Sequence, residues 1–259
     1  MLLTSVIFVL REVLEASMLI SVLLALSAHW RQGFVWVFWS VLVGSIGTLL
    51  FASFLHVVTD SFEGAGQELT NVSLQGVSYF LILAIVALSP FIQSHKRLMS
   101  VFMAVAVSCA MTREGSEILI YIMGFASVPE QAAAVYAGSA IGGGIGISLG
   151  VLLFSALRSV SEGRVQLIAI VLISLMGAGT IMQASMLLEQ IDWLPMGQAL
   201  WDSSGVISEQ SVAGELLYAV FGYEATPSVT QAVLYMIALA LMFVSYWVAS
   251  GQRGRPNVA

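Results

Sequence analysis

Long apolar runs fill most of the chain, and short polar stretches separate them. A helix needs about 20 predominantly apolar residues to cross the hydrocarbon core of a bilayer. By that measure the pattern predicts seven spans, at about residues 3–28, 34–57, 73–93, 98–124, 132–157, 165–188 and 229–250. The expected fold is an all-α polytopic membrane protein, with residues 1–259 forming a single transmembrane domain. The stretch from Glu189 to Ser228 is the sizeable extramembrane loop of this reading. Within it Val206, Val212, Leu216, Leu217, Val220 and Phe221 could line one side of a surface helix, as a docking platform or as a lid.

Charge sorts the connections. Arg31, Lys96, Arg97, Arg158 and Arg164 fall between odd and even spans, and Arg253 and Arg255 fall in the tail. The even-to-odd loops carry Asp60, Glu63, Glu68, Glu130, Asp192, Asp202, Glu209, Glu215 and Glu224, and no base. The positive-inside rule then places the N-terminus outside and the C-terminus inside. The first residues lack a basic n-region and a small-residue cleavage site, so they are expected to begin the first span.

Composition agrees. Only 9% of residues are charged and 59% are hydrophobic, whereas a soluble domain carries about 25% charged residues. The expected location is a cell membrane, crossed many times, with the lipid bilayer as constant partner. A net charge of −6 speaks against nucleic acid as a partner. Cys109 stands alone, so it can form neither an internal disulfide nor a thiolate metal cluster.

Two apolar runs are broken by the same pattern, R-E-x-x-E: Arg11-Glu12-Val13-Leu14-Glu15 and Arg113-Glu114-Gly115-Ser116-Glu117. Successive helical residues turn by about 100°, so each motif sets one Arg and two Glu on a single face. Six charges facing lipid would cost roughly 15–20 kcal/mol, more than the usual stability of a whole domain, about 5–15 kcal/mol. Both faces must turn inward, most simply toward each other. They could serve as buried ion pairs that fix packing. Four carboxylates nevertheless exceed two guanidiniums by two negative charges, which packing does not require. Arg11 and Arg113 are each expected to hold one glutamate, through an i,i+4 contact to Glu15 or Glu117 or across the helix pair.

The predicted topology makes the motif helices antiparallel. Gly44-Ser45-Ile46-Gly47 in span two echoes Gly143-Gly144-Ile145-Gly146 in span five. Residues 1–93 and 98–188 thus read as a 3+3 inverted repeat, with span seven (229–250) appended, an arrangement that places substrate at the midplane. Gly142, Gly146 and Gly150 form a small-residue stripe suited to close helix packing. Near the end of span two, His56, Asp60 and Glu63 would share a face if helix persisted there, and could capture an entering cation.

Carboxylates are hard ligands that suit Mg, Ca, Mn and iron. The surplus of two negative charges balances a divalent ion. The G-x-S-x-G match at Gly146–Gly150 lies mid-helix, away from the strand-to-helix turn that pattern needs. No H-E-x-x-H occurs, so an intramembrane metalloprotease is unsupported, and a transport protein, not an enzyme, is expected. No G-x-x-x-x-G-K occurs either, which leaves a gradient, the membrane potential or a partner to drive transport.

The doubled R-E-x-x-E resembles the motif of the iron/lead transporter family, whose usual form is R-E-G-L-E. That family includes the fungal high-affinity iron permease and the permeases of bacterial ferrous-iron uptake. Val13 and Ser116 depart from the usual form and spare the charged positions. Leu200-Trp201-Asp202-Ser203-Ser204, Gly214-Glu215-Leu216-Leu217 and Gly222-Tyr223-Glu224-Ala225-Thr226-Pro227-Ser228 are also similar to bacterial members. The resemblance implies a permease of the bacterial cytoplasmic membrane that imports Fe2+ or Fe3+, with Glu12, Glu15, Glu114 and Glu117 as ligands. It implies iron as substrate, with no permanently bound cofactor, and an extracytoplasmic oxidase or iron-binding protein as partner. Two other readings stay open from the residues: a carrier of another divalent cation such as lead or manganese, and a proton-relay or sensor protein that transports nothing.

Overall fold

The computed structural model describes residues 1–208 and 211–253, with Glu209, Arg255 and the side chain of Arg253 outside the described residues. The chain is an all-α membrane protein. Its long helices are α1 (Leu2–His29), α2 (Val35–Ser53), α4 (Gly66–Leu88), α5 (Ile92–Ala126), α6 (Pro129–Ser159), α7 (Glu162–Gln190) and α9 (Val229–Arg253). Two short helices join them, α3 (Leu55–Asp60) and α8 (Val212–Phe221). Five segments are long and apolar enough to cross a membrane: Val35–Ser53, Gly66–Ala126, Pro129–Ser159, Glu162–Gln190 and Val229–Gln252.

Local chemistry sets the breaks. Arg31 adopts a left-handed conformation (φ 54°) just after α1. Pro90 sits in the 3-10 turn Ser89–Phe91 between α4 and α5, and Pro129 opens α6, where its missing N–H goes unneeded. Ser211 caps α8 by accepting the Gly214 N–H at 3.0 Å, and Gly222 ends it in the left-handed region (φ 67°).

The end of the predicted second span differs from expectation. α2 stops at Ser53, and α3 ends at Asp60. Phe62 and Glu63 then turn left-handed (φ 51° and 63°). Glu63 therefore leaves any face shared with His56 and Asp60.

Packing follows small residues, because lipid supplies no hydrophobic drive between helices. α1 lies parallel along α6: Gly142 faces Val6 and Leu10, Gly146 faces Val13, and Gly150 faces Ser17. Ser17 and Ser21 donate to the carbonyls of Gly146 and Gly150 at 3.0 and 2.7 Å. A Cβ at Gly142 would clash with the Val6 carbonyl oxygen and sit 2.9 Å from the Leu10 nitrogen, so the two backbones could not stay this close. α5 lies parallel along α2 in the same manner. Thr48 donates to the Met111 carbonyl at 3.0 Å, and Thr112 to the Gly44 carbonyl at 3.4 Å. Each motif helix is thus paired with a glycine-bearing helix, α1 with α6 and α5 with α2. The motif helices run antiparallel, since Ser5 meets Tyr121, Glu15 meets Arg113 and Gln32 meets Ser100. Leu23, Leu26, Met99, Met103 and Ile173 form the buried core on the α1-terminal side of the motifs.

Candidate metal site

The two R-E-x-x-E faces meet. Carboxylate oxygens of Glu12, Glu114 and Glu117 all lie within 4.8 Å of one another. Glu12 and Glu114 are buried, and Glu117 is partly buried. A hard cation binds oxygen at about 2.0–2.6 Å, so its ligands stand up to about 4–5 Å apart. The three carboxylates fit that spacing. Oε2 of Glu114 is buried and has no hydrogen-bond partner, which leaves it available as a ligand.

Glu15 takes a different place. Arg113 binds it across the helix pair, and Gln183 of α7 donates to its Oε1 at 3.2 Å. All three side-chain nitrogens of Arg113 are engaged. Its Nε donates to Glu114 at 2.8 Å and its Nη1 to Gln183 at 2.9 Å, while Nη2 reaches Glu15 and Glu114. Arg11 is less committed. Its Nε and Nη2 both donate to Glu12 Oε1, at 2.9 and 2.7 Å. The i,i+4 contacts expected within each motif are absent among the described residues. Each arginine instead binds the glutamate next to it, and Arg113 also crosses to Glu15.

Three neutral amides extend the network. Asn71 donates to Glu117 at 3.3 Å, and Gln75 donates to Gln183 at 3.3 Å. Asn71 and Gln75 stand four apart on α4, so one face of that helix presents both. These residues were not among the expected site residues. Their signal was present as uncharged polar side chains inside apolar runs.

α8 covers the site from the loop. Tyr218 sets its ring 5.9 Å from the Arg11 guanidinium, which also lies 5.5 Å from the Phe8 ring. Burial pushes the Tyr218 phenol well above its ordinary value, so it stays protonated. Of the loop residues expected on one apolar side, Leu216 and Val220 pack inward, whereas Val206 lies outside the helix and is exposed. The end of α8 rests on Gly179, where a Cβ would come 2.7 Å from the Phe221 carbonyl carbon. α8 thus packs against α1 and α7. A buried tie holds the loop's far end: Ser228 and Gln231 donate to Glu189 at 2.8 and 2.6 Å.

Two cavities are lined by motif carboxylates, and no residue lines both. A narrow one of about 40 Å³ is lined by Glu15, Gln75, Cys109, Arg113, Glu114 and Gln183. A wider one of about 540 Å³ lies toward the start of α1, lined by Glu68, Asn71, Glu117 and Tyr121. His56 and Asp60 are 3.1 Å apart and strongly exposed. Neither lines the wider cavity, and Glu63 does not either; Glu68 does. The chain matches no protein-family model, no curated protein and no solved structure.

Proposed function

We propose that the chain is a seven-span permease that passes iron through the buried site of Glu12, Glu15, Glu114 and Glu117. The observation that carries this reading is the convergence of three carboxylates from two helices at ion-binding separation, with a free oxygen on Glu114. Intramembrane ionisable groups that face one another usually mark an ion path. The resemblance of both motifs to the iron/lead transporter family supports iron among the hard cations. In this reading Glu15 and Arg113 shape the site, and the other three glutamates hold the ion.

The seven spans are the five apolar segments above, with α1 added and Gly66–Ala126 counted twice. That segment has 61 residues, about 90 Å of helix against a hydrocarbon core of about 30 Å, and it breaks at Ser89–Phe91. The reciprocal pairing of α1 with α6 and α5 with α2 supports an inverted repeat. With the N-terminus outside, the wider cavity is an outer vestibule with Glu68 at its wall. A reporter fused after Gln252 is expected on the cytoplasmic face and one inserted at Ser204 on the outer face. Both on one face would remove the repeat.

Proteoliposomes holding the purified chain are expected to take up iron, with Mn2+ and Pb2+ as weaker competitors. Comparison of Fe2+ with Fe3+ assigns the oxidation state. Absence of metal uptake alongside proton-coupled changes would favour the relay reading. Stronger uptake of another cation would reassign the substrate.

A further inference from the structure

Away from the carboxylates, a groove of about 1090 Å³ opens on the flank of α2 and α5. It lies at the end of the bundle where α1 finishes, and Arg31 and Gln32 form part of it. Its wall is apolar, with Val35, Trp39 and Val43 on α2 opposite Val101 and Val105 on α5. Its mouth is basic. Arg31, Lys96 and Arg97 line it, and no carboxylate does. Arg31, Lys96 and Arg97 form no ion pair among the described residues. Gln32 adds a donor: its Oε1 accepts from Ser100 at 3.3 Å, while its buried Nε2 has no hydrogen-bond partner. A buried amide N–H without an acceptor is costly, and a phosphate oxygen at the mouth would supply one.

We propose that this groove binds an anionic phospholipid, its phosphate at Arg31, Lys96, Arg97 and Gln32 Nε2, and an acyl chain along Trp39 and Val43. Charge complementarity selects the occupant. A soluble anion would gain nothing from the long apolar wall. A second copy seated here about a two-fold axis would set the same three bases against themselves. Basic pockets beside membrane helices take acidic headgroups from the adjoining leaflet. The proposal does not depend on the permease reading.

The test uses the whole chain in nanodiscs of phosphatidylcholine. Into these goes a minor fraction of acyl-brominated phosphatidylglycerol or acyl-brominated phosphatidylcholine. Bromine quenches a tryptophan that it touches, and subtraction of the Trp39→Phe signal isolates Trp39. Quenching by the anionic lipid is expected at about tenfold lower mole fraction than by the neutral one. The preference should fade in 1 M salt, where the screening length is about 3 Å. The combined Arg31→Gln, Lys96→Gln, Arg97→Gln variant should lose it, and Lys96→Arg with Arg97→Lys should keep it. Equal quenching of the unmodified chain by both lipids overturns the proposal, as does a preference that survives the triple change. A dimer in which neither lipid reaches Trp39 also overturns it and assigns the groove to a second copy.

Discussion

Arg113→Lys is expected to cut iron uptake per folded molecule by roughly ten- to a hundredfold, while Arg11→Lys changes it by no more than about fivefold. The motifs look equivalent in sequence, but the two arginines do different work. Arg113 is buried and reaches Glu15, Glu114 and Gln183 at once through its planar fork. A lysine keeps the charge but cannot hold three acceptors in that plane. Losing even one charged hydrogen bond there costs about 1.5–3 kcal/mol, and Glu15 would be free to swing into the ion's place. Arg11 bonds only to Glu12 among the described residues, and its side chain is 31% exposed. Water can repair much of what lysine loses there. The check is uptake by both variants in proteoliposomes, normalised to correctly folded protein. Near-normal uptake in Arg113→Lys would mean that Arg113 serves as a simple charge, and equal losses in the two variants would remove the asymmetry between the arginines.

That asymmetry was beyond the reach of the motif itself. The charged positions stood out because ionised groups in an apolar run are too costly to face lipid. Their inward convergence, and the close packing of Gly142, Gly146 and Gly150, followed from helix periodicity. The choice of partner did not. Helical geometry alone allows Arg11 to reach Glu15, and only the position of α7 brings Gln183 to Arg113. Asn71, Gln75 and Gln183 carry no charge, so the cost of burying charge does not single them out. The face proposed for His56, Asp60 and Glu63 failed because Phe62 and Glu63 adopt a left-handed turn, a conformation uncommon for such residues and hard to foresee. The seat of α8 over Arg11 depends on Gly179 and Gly222 meeting at close range, a contact between residues far apart in sequence.

Glu117→Gln is expected to abolish most uptake, at least about tenfold, with no loss of protein from the membrane. Among the four motif glutamates it separates ion binding from packing most cleanly. Glu12 holds Arg11, and Glu15 and Glu114 hold Arg113. Removing any of those charges leaves an arginine short of a partner, and breaking a buried pair costs roughly 3–5 kcal/mol. Glu117 forms no ion pair among the described residues. Its hydrogen bond comes from the neutral Asn71, which a glutamine can also satisfy. The substitution therefore removes one negative charge and one hard ligand and leaves the packing in place. If Glu12, Glu114 and Glu117 share one ion, they act as a unit, and groups acting as a unit are not additive. Adding Glu114→Gln to Glu117→Gln should then lower uptake little further, although Glu114→Gln alone is as damaging as Glu117→Gln. The measurements are uptake per folded molecule and membrane abundance for both single variants and the double. Normal uptake in Glu117→Gln, or multiplied losses in the double variant, would break the single-site reading and leave the glutamates as partners of the arginines alone.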